Sequence, residues 1–118
     1  MNNSADRNSI IIGAVASRIL NDAFRQSFIG GQIMMTAGIV ALGRERQLAI
    51  LEAVKAFNQF DEGNDPYGEH DFGAFEQGGD KLFFKIDYYD PDLQHGSEDP
   101  ANASVTRRVL TIMLAEEW

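Results

Sequence analysis

Oxygen and nitrogen donors crowd one part of this chain. Glu69, His70, Asp71, Asp87, Asp90, Asp92 and His95 all fall within residues 69–95. Carboxylate oxygens suit a hard cation such as Mg²⁺ or Ca²⁺, and one imidazole among carboxylates suits Mn²⁺ or Zn²⁺. The set with the best claim to a metal is His70, Asp71, Asp87 and Asp90. His70 with Asp87 could also act as a base and its orienter. No spacing supports either chemistry. Asp61 and Asp65 do not begin an EF-hand loop, there is no HExxH, and no serine sits in a nucleophile elbow. The same carboxylates can simply cap turns, and His70 and Asp87 can form a cross-strand polar pair. The glycines make neither a phosphate loop nor a dinucleotide fingerprint. The sequence therefore calls for no cofactor and leans away from an enzyme.

Charge is the stronger signal. The 118 residues carry a net charge of −8. Residues 61–99 hold twelve acids and two lysines, so −10, while the remainder holds six acids and eight bases, so +2. The imbalance sits in one segment. Direct nucleic-acid binding needs a basic footprint, which this chain lacks. A basic protein surface or a divalent cation fits better. Aromatic rings lie among the acids, at Tyr67, Phe72, Phe83, Tyr88 and Tyr89. Aromatic anchors inside a charged rim make an interface centre. The residues expected to face a partner are Asp61, Glu62, Asp65, Tyr67, Glu69, Asp87, Tyr89, Asp90 and Asp92.

The elements that must position these residues can be read from periodicity. Residues 1–8 are polar and are expected to be a disordered tail, leaving 9–118 as a single domain. From Ser9 the apolar residues Ile12, Val15, Ala16, Ile19, Ala23 and Phe24 recur at helical spacing up to the glycines at 30 and 31. Gln32–Thr36 reads as a short strand and Ala37–Gly43 as a connection. Arg44–Phe60 reads as a helix with Leu48, Leu51, Val54 and Phe57 on its buried stripe. Asp71–Gln77 and Lys81–Tyr89 read as strands joined at Gly78-Gly79, a two-residue hairpin signal. That turn pairs positions whose numbers sum to 157, so Phe75 meets Leu82, Phe72 meets Lys85 and His70 meets Asp87. Phe75, Leu82, Phe84, Ile86 and Tyr88 then form the face turned to the helices. Asp90–Ala103 reads as a loop. From an N-cap at Ser104, the residues Val105, Val109, Ile112 and Met113 give a last helix to Trp118. The expected fold is α+β, a small antiparallel three-stranded sheet with three helices in the order α-β-α-β-β-α.

There is no cysteine, no basic leader and no apolar run long enough to span a bilayer. These features lead to the expectation of a cytoplasmic protein away from membranes, monomeric or homodimeric.

The runs NDAFRQSF (21–28), NDPYGEHDFGAFE (64–76), FFKIDYYDPDL (83–93) and TRRVLTIMLAEEW (106–118) resemble a proteobacterial family of small acidic proteins known as a domain of unknown function. The resemblance spans roughly Ser17–Trp118. It implies a bacterial protein of a kind often carried on plasmids and other mobile elements, and it brings no catalytic residues with it. Small acidic proteins of such elements include DNA mimics that inhibit restriction and CRISPR systems. The expected function is accordingly a non-enzymatic protein-binding module, an inhibitor that offers its acidic surface to a nucleic-acid-binding defence complex. The alternative is a metal-dependent hydrolase or metal-binding protein built on His70, Asp71, Asp87 and Asp90.

Overall fold

The computed structural model describes residues 3–118, with side chains from Ile11 onward. The tail expected over 1–8 falls on residues outside that description, or described only as backbone. The chain runs α1 (Asn3–Ser27), β1 (Gly31–Met35), α2 (Ala37–Val40), α3 (Arg44–Ala56), β2 (Phe72–Gln77), β3 (Asp80–Tyr89) and β4 (Arg107–Leu114). Short 3₁₀ turns flank β4 at Ala103–Val105 and Ala115–Glu117.

The four strands form one sheet in the order β1-β4-β3-β2. The expected three-stranded antiparallel sheet is corrected on two counts. There is a fourth strand, and β1 runs parallel to β4, so the sheet is mixed.

The extra strand is the segment that reads as a last helix. Arg107–Leu114 is a central strand between β1 and β3. Arg108, Leu110 and Ile112 are buried on one face, and Met113 is buried on the other. The second face carries the half-buried Val109 and Thr111 as well as Met113, so the run is nearly continuous in apolar and β-branched residues, and such a run satisfies helical spacing as well. Val105, Thr106, Val109, Thr111 and Ile112 are β-branched, and that stiffness favours the strand. Ser104 caps nothing. It donates its N–H and hydroxyl to Asn102, which is the true cap of the turn there.

The hairpin forms as its turn dictates. Gly78 and Gly79 sit at φ +61° and +88°, as a type I′ turn requires at both central positions. Phe72 pairs with Lys85, Ala74 with Phe83 and Phe75 with Leu82, so paired numbers sum to 157. Leu82, Phe84 and Ile86 face the helices and are buried. They form the core with Phe24, Ile39, Ile50, Val54, Phe57, Leu110 and Ile112. Each such large side chain, once buried, contributes about 1.5–3 kcal/mol. Gly73 is fixed by this packing, because a Cβ there would overlap the Phe84 ring and press on Phe57.

α3 keeps most of its expected face, with Ile50, Val54 and the C-cap Phe57 buried and Leu51 packed partly on the core, and only Leu48 is exposed. α1 is rotated from its expected face. α1 buries Ser17, Asn21, Phe24 and Arg25, while Ile12, Val15 and Ile19 face outward. Its inward stripe is mostly polar, and that stripe organises the site described next.

Candidate functional site

Strand direction brings the acidic loops together. β2 begins, β3 ends and β4 begins at the same end of the sheet. Residues 57–71 lead into β2 and residues 90–106 join β3 to β4, so both loops leave that end. The carboxylates there divide into those that hold the fold and those that face outward.

The holding group is anchored on α1. Arg25 is 2% exposed. It donates to the carbonyls of Val54 and Phe57 at 3.0 and 2.8 Å, collecting the last carbonyls of α3. Its other terminal nitrogen lies 3.1 Å from Asp22 Oδ1. Asp22 in turn meets His70 Nδ1 at 2.8 Å. The His70 ring stacks on Phe60 with centroids 3.8 Å apart, and its Nε2 lies 3.5 Å from Asp65. Asp65 is buried, and its carboxylate accepts the His70 N–H at 3.0 Å. His70 adopts φ +57°, in the left-handed region, which local hydrogen bonds from both its backbone and ring help to hold.

A second buried network lies beside it. Arg108 Nε donates to Asn21 Oδ1 at 2.7 Å, and its guanidinium lies over the Tyr88 ring. Asn21 donates to the Tyr88 hydroxyl at 2.7 Å and to the Glu69 carbonyl at 2.9 Å. The Tyr88 hydroxyl donates to the Glu69 carboxylate at 2.7 Å. Burial, and then that bond to Glu69, push the Tyr88 phenol well above its ordinary value. Burial pulls the Arg108 guanidinium down, opposed by Tyr88 and Glu69. Burial also raises the Asp71 carboxyl above the usual carboxylate range, helped by the charge of Glu69 and then of Asp65 and Asp87.

The expected partner-facing residues therefore have different fates. Asp65 is buried and Glu69 is held by Tyr88. Asp87 pairs with Lys85 at 3.0 Å, and Tyr89 is half-buried. Asp90 accepts the N–H groups of Gln94 and His95, and the Gln94 bond leads in holding its carboxyl below the ordinary range. Asp61, Glu62, Tyr67 and Asp92 are exposed, as are Glu98 and Asp99. Tyr67 is 78% exposed beside a cavity of about 390 Å³ that Ile11, Ala14, Val15 and Arg18 help to line.

The expected His70–Asp87 pairing is corrected. β2 begins only at Phe72, and His70 turns its ring to Asp22 and Asp65 while Asp87 takes Lys85. His70, Asp71, Asp87 and Asp90 thus do not converge. Among the described residues, no group of three His, Cys, Asp or Glu side chains is arranged to hold a metal ion. No helix among them is long and apolar enough to cross a membrane.

A family model described as a protein of unknown function, DUF3768, matches residues 35–117, more than half of the chain. The chain belongs to the DUF3768 family. The matched span takes in the whole sheet apart from most of β1, together with both acidic loops. α1 lies outside it, although Asn21, Asp22 and Arg25 bond directly to matched residues. No curated protein and no solved structure matches the chain.

Sequence reasoning passed over Asn21, Asp22, Arg25 and Arg108. A signal was present for the helix residues, because Ser17, Asn21 and Arg25 recur every four positions and mark a polar face. Only the sheet behind α1 makes that face the inner one.

Proposed function

We propose that this chain is a non-enzymatic protein-binding module whose acidic sheet end docks on the basic surface of another protein. The observation that carries this reading is the convergence of both acidic loops at one end of the sheet, with Tyr67 standing 78% exposed in the first of them. Glu62, Asp92 and Glu98 would supply a charged rim, beside an exposed Asp61 whose carboxylate also accepts the Gly63 and Asn64 N–H groups. Tyr67, beside its apolar cavity, would supply the anchor. The carboxylates at Asp65, Glu69 and Asp90 are engaged within the molecule and help to position the loops, while Asp87 pairs with Lys85 on its own strand.

The partner class follows from charge. A compact array of carboxylates can occupy a groove that normally takes DNA phosphates. On this reading the protein acts in a bacterial cytoplasm as an inhibitor of a nucleic-acid-binding defence complex of the CRISPR or restriction type, and it touches the protein component rather than nucleic acid. Its small size and net charge of −8 support this assignment.

The test is charge reversal at outward positions only. Tagged wild-type protein and a Glu62→Lys/Asp92→Lys/Glu98→Lys variant would be used to capture partners from nuclease-treated bacterial lysate over a salt series. Capture by the wild type should weaken as salt rises and should disappear in the variant, with the melting temperature of the variant unchanged. Capture of the same partner by the variant, with the same salt dependence, would sink the electrostatic reading.

A further inference from the structure

The most unusual surface outside the acidic end is the free edge of β1. This strand is hydrogen-bonded only to β4 among the described residues. Thr36 N–H bonds the Ile112 carbonyl at 3.1 Å. Strand alternation therefore turns the N–H and C=O groups of Ile33 and Met35 away from β4, toward the open edge. Folded proteins usually blunt such an edge with charge, proline or a bulge. Here none is present, since no charged residue and no proline occur between Arg25 and Arg44. The other edge differs. β2 carries Glu76 and faces Lys81, and Arg46 closes its turn through Gln77 and Asp80.

Apolar side chains flank the open edge. Ile29 is 79% exposed just before β1, and Met34 is 51% exposed on the sheet face away from the helices. Leu20 and Ala23 of α1 line a cavity of about 440 Å³ with Ile29 and Gly31 at the start of β1. A stretch of eighteen uncharged residues is unusual in a chain that is 24% charged.

We infer that β1 is the edge through which two copies of this chain associate, antiparallel and about a two-fold axis, giving one continuous eight-stranded sheet. The occupant is a second copy because the surface is self-complementary. An isologous contact sets each residue near its own counterpart, and an uncharged patch meets that condition without like-charge contacts. Two copies repel wherever their acidic 61–99 segments, −10 each, would meet. The strand itself offers no countercharge to an acidic or basic partner, and the nearest charges are Arg107 beside its start and Glu117, bonded to Thr36 and Gly38, just past its end. Ile33 and Met35 would complete the backbone ladder, and Met34 of one copy would lie against Met34 or Gln32 of the other. This association is independent of the partner proposed for the acidic loops, and either could fail without the other.

The experiment is mass measurement by light scattering and sedimentation on the whole chain from low micromolar to millimolar concentration. Three forms are compared: wild type, Gln32→Lys/Met34→Lys and Ile12→Lys/Ile19→Lys. The wild type should reach twice 13.1 kDa. The edge variant should stay at 13.1 kDa at concentrations where the wild type is dimeric, with an unchanged melting curve at low concentration. The α1 variant should dimerise as the wild type does. Hydrogen exchange should slow at the Ile33 and Met35 amides as wild-type concentration rises. A wild type that remains monomeric throughout would overturn the inference. So would a dimer that survives the edge substitutions, or one broken only by the α1 substitutions.

Discussion

His70 Nδ1 lies 2.8 Å from a carboxylate oxygen of Asp22, 48 residues earlier in the chain. This contact ties the acidic loop before β2 to α1. Asp22 also meets Arg25, and Arg25 holds the carbonyls that end α3. One aspartate thus links the loop, the first helix and the third. Arg25 Nε is buried without a partner of its own, so the guanidinium depends on Asp22 and the carbonyls for compensation.

Replacing Asp22 with Ala should therefore cost more than a surface change. It leaves a buried guanidinium without its counter-ion and frees the His70 ring. The expected loss is about 2–4 kcal/mol of folding stability, read from urea denaturation. A loss below about 0.5 kcal/mol, the range of ordinary surface substitutions, would show that the latch contributes little.

Asp71 should behave in the opposite sense. Its carboxyl is raised in the folded protein by burial and by Glu69. Between the ordinary carboxylate value and the raised one, the folded state binds more protons than the unfolded state. Stability contributed by this group is then full at low pH and falls as pH rises through that window. Asp71→Asn should stabilise the protein at neutral pH, and the gain should vanish below the ordinary value of 3.8. Melting temperatures across pH 3–8 check this, and an equal effect at both ends would contradict it.

Gly73 tests the packing of the hairpin on α3. A methyl group there would overlap the Phe84 ring and crowd Phe57. Gly73→Ala should destabilise by about 1–3 kcal/mol, as other overpacked cores do. Denaturation at neutral pH reads it directly, and a stability equal to wild type would mean that the two rings can move aside.

The hairpin was legible because two independent signals agree on it. Gly78-Gly79 fixes the turn, and alternation from Leu82 to Ile86 fixes the buried face. β4 was not legible by periodicity, since Val105, Val109, Ile112 and Met113 fit a helix as well as a two-sided strand. Its β-branched content was the better guide. The charge of the 61–99 segment was plain in composition, yet composition does not separate carboxylates that cap loops from those that face solvent. Asp65 and Glu62 lie three residues apart, one buried and one exposed. The inner face of α1 was hidden for a related reason. Asn21, Asp22 and Arg25 look like solvent residues until the sheet places Tyr88, Arg108 and His70 against them.

The most direct test of the acidic-end account is competition. Partner captured on immobilised protein from nuclease-treated bacterial lysate would be challenged with duplex DNA at fixed salt. The account predicts that DNA releases the partner in proportion to its concentration, because both occupy one basic groove, and that Tyr67→Ala protein captures less of it. A partner that stays bound under saturating DNA and is captured equally by Tyr67→Ala would contradict it.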